Sequence, residues 1–164
     1  MFERGAFKKN KFKDWKLVLA GGVLHGQGYV NKLKNMSDGY NIEIFTNTTH
    51  SKLKSLYGQS KIFWHAAGFG LDIDSHPQKA EHFGISTVEA MSSGLVPVVF
   101  NGGGLKEIIT NKTGYLWKTI DELIDNTKKA IKASENPQNI QRIIDRSKVF
   151  SQERFDEEFK KLVS

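Results

Sequence analysis

From Lys16 to the end of the chain, short β-rich apolar runs alternate with helical patterns, and this alternation limits the fold more than any other feature. Strands separated by helices pair in parallel and carry helices on both faces, so the expected fold class is α/β, an open parallel sheet with a helical C-terminus. Strands are expected at Lys16–Ala20 (ending in Gly21-Gly22), Ile42–Thr46, Ile62–His65, Leu95–Phe100 and Tyr115–Trp117. Helices are expected at Tyr29–Met36, Ser51–Tyr57 with Gly58 as a stop signal, Gly84–Ser93 closed by Gly94, and Leu105–Ile109. Three more, Asp121–Ala133, Gln138–Lys148 and Gln152–Val163, finish the chain. Between them, residues 66–80 form a long loop of the kind that is usually functional or disordered, and Asn101-Gly102-Gly103-Gly104 can bring backbone close to a ligand.

At 164 residues the chain is long enough for one domain. Residues 1–15 read as a basic N-terminal remnant and residues 151–164 as a C-terminal helix. The longest uncharged apolar runs, Leu17–Leu24 and Leu95–Phe100, fall far short of the ~20 residues that span a bilayer. No apolar stretch follows the basic start as a cleaved signal peptide requires. Cysteine is absent, which excludes disulfide scaffolds, thiolate zinc sites and cysteine nucleophiles and fits a cytoplasmic location. Met1 to Lys34 carry the whole net charge of +6. That one-ended excess suits an anionic partner, such as phosphates, nucleic acid or the inner face of an acidic membrane, or equally a solvated surface. The first sixteen residues are too short and too charged to supply the strand, glycine-rich turn and helix with which such a half-domain begins, so an element of the fold is expected before them.

The chemistry concentrates in Glu81-His82-Phe83-Gly84-Ile85-Ser86-Thr87-Val88-Glu89-Ala90-Met91. On a helix starting near Phe83 or Gly84, Ile85, Val88 and Met91 mark the buried side, and Glu89 lies on or beside it. A carboxylate there needs hydrogen-bond donors, and ribose hydroxyls would serve. The helix start offers the amides of Gly84, Ile85, Ser86 and Thr87 and two hydroxyls, a site suited to phosphate at the carboxyl end of a strand. The alternative is an ordinary amphipathic helix with Glu89 exposed and Glu81 complementing the helix dipole.

Glu81 and Glu89 with seven residues between them, His82-Phe83-Gly84 after the first and Ala90-Met91 after the second, resemble the signature of retaining glycosyltransferase family 4. The run from Ile62-Phe63-Trp64-His65-Ala66 through Pro97-Val98-Val99 and Gly102-Gly103-Gly104 to Glu107-Ile108-Ile109 is similar to the C-terminal half of that family. The resemblance implies one Rossmann-like half of a GT-B fold, a single nucleotide-sugar-binding domain over residues 1–164. It implies that Glu89 holds the ribose and Glu81 the transferred sugar. The backbone of Phe83, Gly84 and Ile85 would meet sugar hydroxyls, Ser86 and Thr87 the diphosphate, and Thr46 and Asn47 the base. Phe2-Glu3-Arg4-Gly5 followed by Lys8-Lys9 resembles the end of the family's phosphate clamp, making Lys8 or Lys9 the candidate lysine; the clamp's arginine position precedes Met1.

The implied donor is a UDP- or GDP-linked hexose, with no further cofactor and no metal, and the acceptor a glycan or lipid-linked sugar brought by an absent N-terminal domain. Alone, the chain is expected to bind donor with little or no transferase activity. Other readings are a GT-B epimerase or phosphorylase-like enzyme, or a non-catalytic module docking on an anionic membrane. Nucleic acid is disfavoured because the charge sits at one end and no reader motif is present. Asp72-Ile73-Asp74 has the form of a metal-binding Asp-x-Asp but lies in a GT-B-like context, where loop solvation is the simpler account. The five histidines show no helical ligand pairing, Gly26-Gln27-Gly28 lacks the third glycine of a dinucleotide fingerprint, and Phe63 and Trp64 are expected in the core.

Overall fold

The structure, a computed structural model, describes residues 12, 14–23, 26–73 and 75–163. Lys8, Lys9, His25 and Asp74 lie outside the described residues. The chain divides into two compact units at residue 60, and the strands pair within each unit, giving two parallel sheets where the sequence suggests one.

The smaller unit runs β1 (Leu17–Gly21), α1 (Gln27–Ser37), β2 (Ile42–Thr46) and α2 (His50–Gln59). β1 and β2 are parallel, with Leu17 opposite Ile42 and Gly21 opposite Thr46. Val30 of α1 and Leu56 of α2 are its buried helical residues. At the carboxyl ends, Asn47 adopts φ 52° and donates its backbone N–H to Gly21 O at 2.9 Å. Its Oδ1 accepts the Val23 N–H at 2.7 Å. An Asn tolerates this left-handed backbone because its short amide bonds locally.

The larger unit contains β3 (Ile62–His65), α3 (Ile85–Ser92), β4 (Val96–Phe100), α4 (Leu105–Ile108), β5 (Tyr115–Trp117), α5 (Ile120–Ala133), α6 (Pro137–Lys148) and α7 (Gln152–Val163). A 3-10 turn, Pro77–Lys79, interrupts the long loop. The sheet order is β3-β4-β5, all parallel. Val96, Pro97, Val98 and Val99 are all buried, as a central parallel strand covered on both faces requires. Pro97 is tolerated mid-sheet because β5 pairs only from Val98 onward, so its missing N–H costs no ladder bond.

Trp64 points toward α5 and donates from Nε1 to Thr127 Oγ1 at 3.0 Å. The pleat therefore turns Phe63 and His65 to the opposite face, where their rings lie 6.3 Å apart. The core joins Met91, Val96, Val98, Val99, Leu105, Ile108, Trp117, Leu123 and Ile143, with Trp64 packed against it.

Helix ends account for the boundaries that apolar spacing misses by a residue. Thr119 and Glu122 form a reciprocal capping box that starts α5 at Ile120 rather than Asp121. Asn136 caps α6, and Pro137 occupies its first turn. α3 ends as expected at Gly94, with φ 82°, the Leu95 N–H on Ala90 O and the Gly94 N–H on Met91 O, both at 3.0 Å.

One expectation about α3 is corrected. Ile85 is 65% exposed, and the buried residues are Thr87, Ala90 and Met91. A strict three-residue spacing walks around a helix by ~60° per step, so Ile85 and Met91 cannot share a face; the i, i+3, i+4 set does.

Candidate functional site

Three elements meet where β3 ends and α3 begins. The turn depends on Gly84, which adopts φ 82° as the N-cap of α3. A Cβ there would lie 2.6 Å from Leu105 Cδ2 and 3.4 Å from Ile108 Cδ1, so α4 fills the space that a side chain would need. The glycine thus serves backbone handedness and packing against α4.

Glu81 closes the mouth of the helix. Its Oε1 accepts the Gly84 N–H at 3.0 Å, and its Oε2 lies 3.4 Å from His65 Nε2. His65 is the last residue of β3, with its side chain 11% exposed against 30% for Glu81. Its other ring nitrogen, Nδ1, is buried without a hydrogen-bond partner among the described residues. Burial holds the imidazole below its ordinary pKa of 6.5, an effect that the adjacent Glu81 charge and hydrogen bond partly oppose.

The glycine-rich loop 101–104 comes close to backbone rather than lying open. The Gly104 N–H donates to Glu81 O at 3.0 Å. A Cβ on Gly103 would sit 2.1 Å from Glu81 O, and one on Gly104 1.9 Å from His82 O. The loop therefore braces the Glu81–His82 peptide, which sets where the Glu81 side chain begins.

The amides expected to be open at the helix start are partly committed. Gly84 donates to Glu81, and Thr87 donates to Gly84 O at 2.9 Å. Thr87 is wholly buried, with Oγ1 lacking a partner among the described residues. Ile85 is exposed, while Ser86 and Glu89 are half-buried on α3. Phe83, 47% exposed, rests edge-on against Phe150 at 6.0 Å, whose ring in turn carries the Arg146 guanidinium at 4.8 Å. Arg146 also donates to the carbonyls of Glu107 and Ile108, tying α6 to the end of α4.

Glu81, Phe83, Gly84, Ile85, Ser86, Thr87 and Glu89 thus lie together in the larger unit. Thr46 and Asn47 stand at the carboxyl end of β2 in the smaller one, both exposed. Asp72 Oδ1 accepts the Ser75 N–H at 3.1 Å. Among the described residues, no three His, Cys, Asp or Glu side chains cluster as a metal site would, and no helix is long and apolar enough to cross a membrane. His65, which lies against Glu81, is not picked out by motif spacing. Its sequence signal is a histidine ending a strand, where open α/β sheets bind their ligands.

The chain is 31% identical over 157 residues to the GDP-Man:Man(3)GlcNAc(2)-PP-Dol alpha-1,2-mannosyltransferase of Dictyostelium discoideum, covering 90% of this chain and 29% of that protein. Its fold matches the catalytic domain of starch synthase IV from Arabidopsis thaliana bound to ADP and acarbose, with TM-score 0.65 and 16% identity, over 97% of this chain and 34% of that one. It also matches Anabaena HepE in complex with UDP-glucose, with TM-score 0.62 and 20% identity, over 85% of this chain and 36% of that one. The chain spans less than a third of the length of the mannosyltransferase, and its fold is that of part of a GT-B glycosyltransferase. Residues 5–148 match the family model for glycosyl transferases group 1. With most of its length inside that match, the chain belongs to the glycosyl transferases group 1 family.

Proposed function

We propose that the chain is the sugar-donor-binding, C-terminal domain of a retaining glycosyltransferase that takes a hexose from a nucleoside diphosphate sugar. The observation that carries this reading is the Glu81 carboxylate hydrogen-bonded to the Gly84 N–H at the mouth of α3, with the half-buried Glu89 further along the same helix. In this reading Glu81 receives the transferred sugar and Glu89 the ribose. The backbone at Phe83, Gly84 and the exposed Ile85 meets sugar hydroxyls, and the half-buried Ser86 meets the diphosphate, where helix amides and dipole favour negative charge. Thr87 lines that turn from the inside; the family resemblance assigns the base to Thr46 and Asn47 and charge on the leaving phosphate to Lys8 or Lys9.

Transfer breaks the bond between the anomeric carbon and the phosphate through an oxocarbenium-like transition state. Charge grows on the departing diphosphate, so groups already aimed at it lower the barrier. Losing one such group typically costs ~3 kcal/mol. The acceptor hydroxyl, of a glycan or lipid-linked sugar, comes from a domain outside this chain. The mannosyltransferase relative favours a GDP-linked donor and the HepE complex a UDP-linked one.

Calorimetric titration with UDP, GDP, UDP-glucose and GDP-mannose tests the reading. One base is expected to bind, and Glu89→Ala should weaken that binding at least ~10-fold, as for a lost charge-assisted hydrogen bond. Indifference to all four ligands overturns the assignment.

A further inference from the structure

We propose that His65 is a positioning residue for Glu81: its neutral imidazole donates from Nε2 to Glu81 Oε2 while the Gly84 N–H holds Oε1, so that the carboxylate is locked in one orientation toward the sugar. This rests on the proposed function of the site and adds to it a residue that acts through another.

The geometry leaves His65 one role. Its backbone is fixed as the final residue of β3, paired with Val99 of the buried central strand. Nε2 faces a carboxylate, which only accepts, so the proton belongs on Nε2. Among the described residues Nδ1 is buried without a partner, so an imidazolium would bury a second N–H with none of them to receive it. Burial opposes the charged ring in the same sense. Glu81 is the charged group acting on the ring among the described residues.

An ionised carboxylate offers about four lone-pair sites. His65 and Gly84 take one on each oxygen, leaving about one on each for sugar hydroxyls, and the side chain is 30% exposed for them to reach. At 3.4 Å the His65 contact is long for a hydrogen bond, and such contacts shorten when substrate seats. A loosely held Glu81 could still be reached by sugar, but it would first have to be ordered. The loss should therefore fall on the sugar and spare the nucleotide.

The test compares UDP with UDP-glucose, and GDP with GDP-mannose, on the whole chain by calorimetry. His65→Phe keeps a ring of similar size and removes the donor. It should weaken the sugar conjugate about 5–10-fold, the worth of one hydrogen bond, with the parent diphosphate within about twofold. His65→Gln, whose amide can donate, should recover part of the difference. Nitrogen NMR of the wild-type chain reads the same contact without ligand: His65 should be the Nε2-protonated tautomer at neutral pH, and Glu81→Gln should lower its titration further.

An Nδ1-protonated tautomer overturns the proposal, as does equal weakening, or no weakening, of both ligands in His65→Phe when the wild type distinguishes them. A wild-type chain that binds neither ligand overturns it together with the reading of the site. Should His65→Phe not fold, His65→Gln and the tautomer decide.

Discussion

Glu81 joins a strand end to a helix start through its two carboxylate oxygens, and two single-residue changes probe that junction. The first is titration of His65. Because burial lowers its folded-state pKa below 6.5, the unfolded chain takes up a proton here before the folded chain does as pH falls. The stabilising contribution is complete above the unfolded value and is lost as pH drops through the folded one. Thermal unfolding followed from about pH 7 to 5 should show Tm falling more steeply in the wild type than in His65→Phe; parallel curves contradict this. The second change is Gly103→Ala. Its Cβ would meet the Glu81 carbonyl oxygen at 2.1 Å, on a backbone with φ 56°. Forcing that contact and that handedness should cost about 2–4 kcal/mol, read as a lower denaturation midpoint.

At the scale of elements, caps and braces decide more than propensity does. Thr119→Ala opens the capping box of α5 and should lose about 1 kcal/mol in a denaturant titration. Arg146→Ala removes two carbonyl hydrogen bonds at the end of α4 and the cation–π contact with Phe150. It should cost about 1–3 kcal/mol and loosen Phe83, visible as a higher exchange rate for amides near residue 83. Nearly every element was legible in the sequence, because strands and helices are written in local periodicity. Apolar spacing alone places the start of α5 one residue late, because the polar pair Thr119 and Glu122, itself a local signal, sets it at Ile120. The buried face of α3 is less legible for a different reason. A strict three-residue spacing does not define one face, and of the i, i+3, i+4 sets that do, the packing of α3 against α6 and β4 selects Thr87, Ala90 and Met91.

At the scale of the whole molecule, the core is unevenly shared. Among the described residues, Phe12, Val30 and Leu56 are the buried apolar side chains of the smaller unit, while the remainder belong to the larger. Native-state hydrogen exchange should therefore find β1 and β2 opening at a lower free energy than β4 and α5, since local stability follows buried apolar contact. Equal protection of both units would refute this.

What the sequence determined unaided was the order of strands and helices and the clustering of Glu81 through Glu89 at one helix start, because both rest on neighbours within a few positions. Only the tertiary structure decided how that cluster spends its polar groups. Residues far apart in the chain, His65 with Glu81 and Gly104 with Glu81, meet because the parallel strands and the loops leaving them converge there. A contact between distant residues is a property of where the sheet delivers them, and no local pattern encodes it.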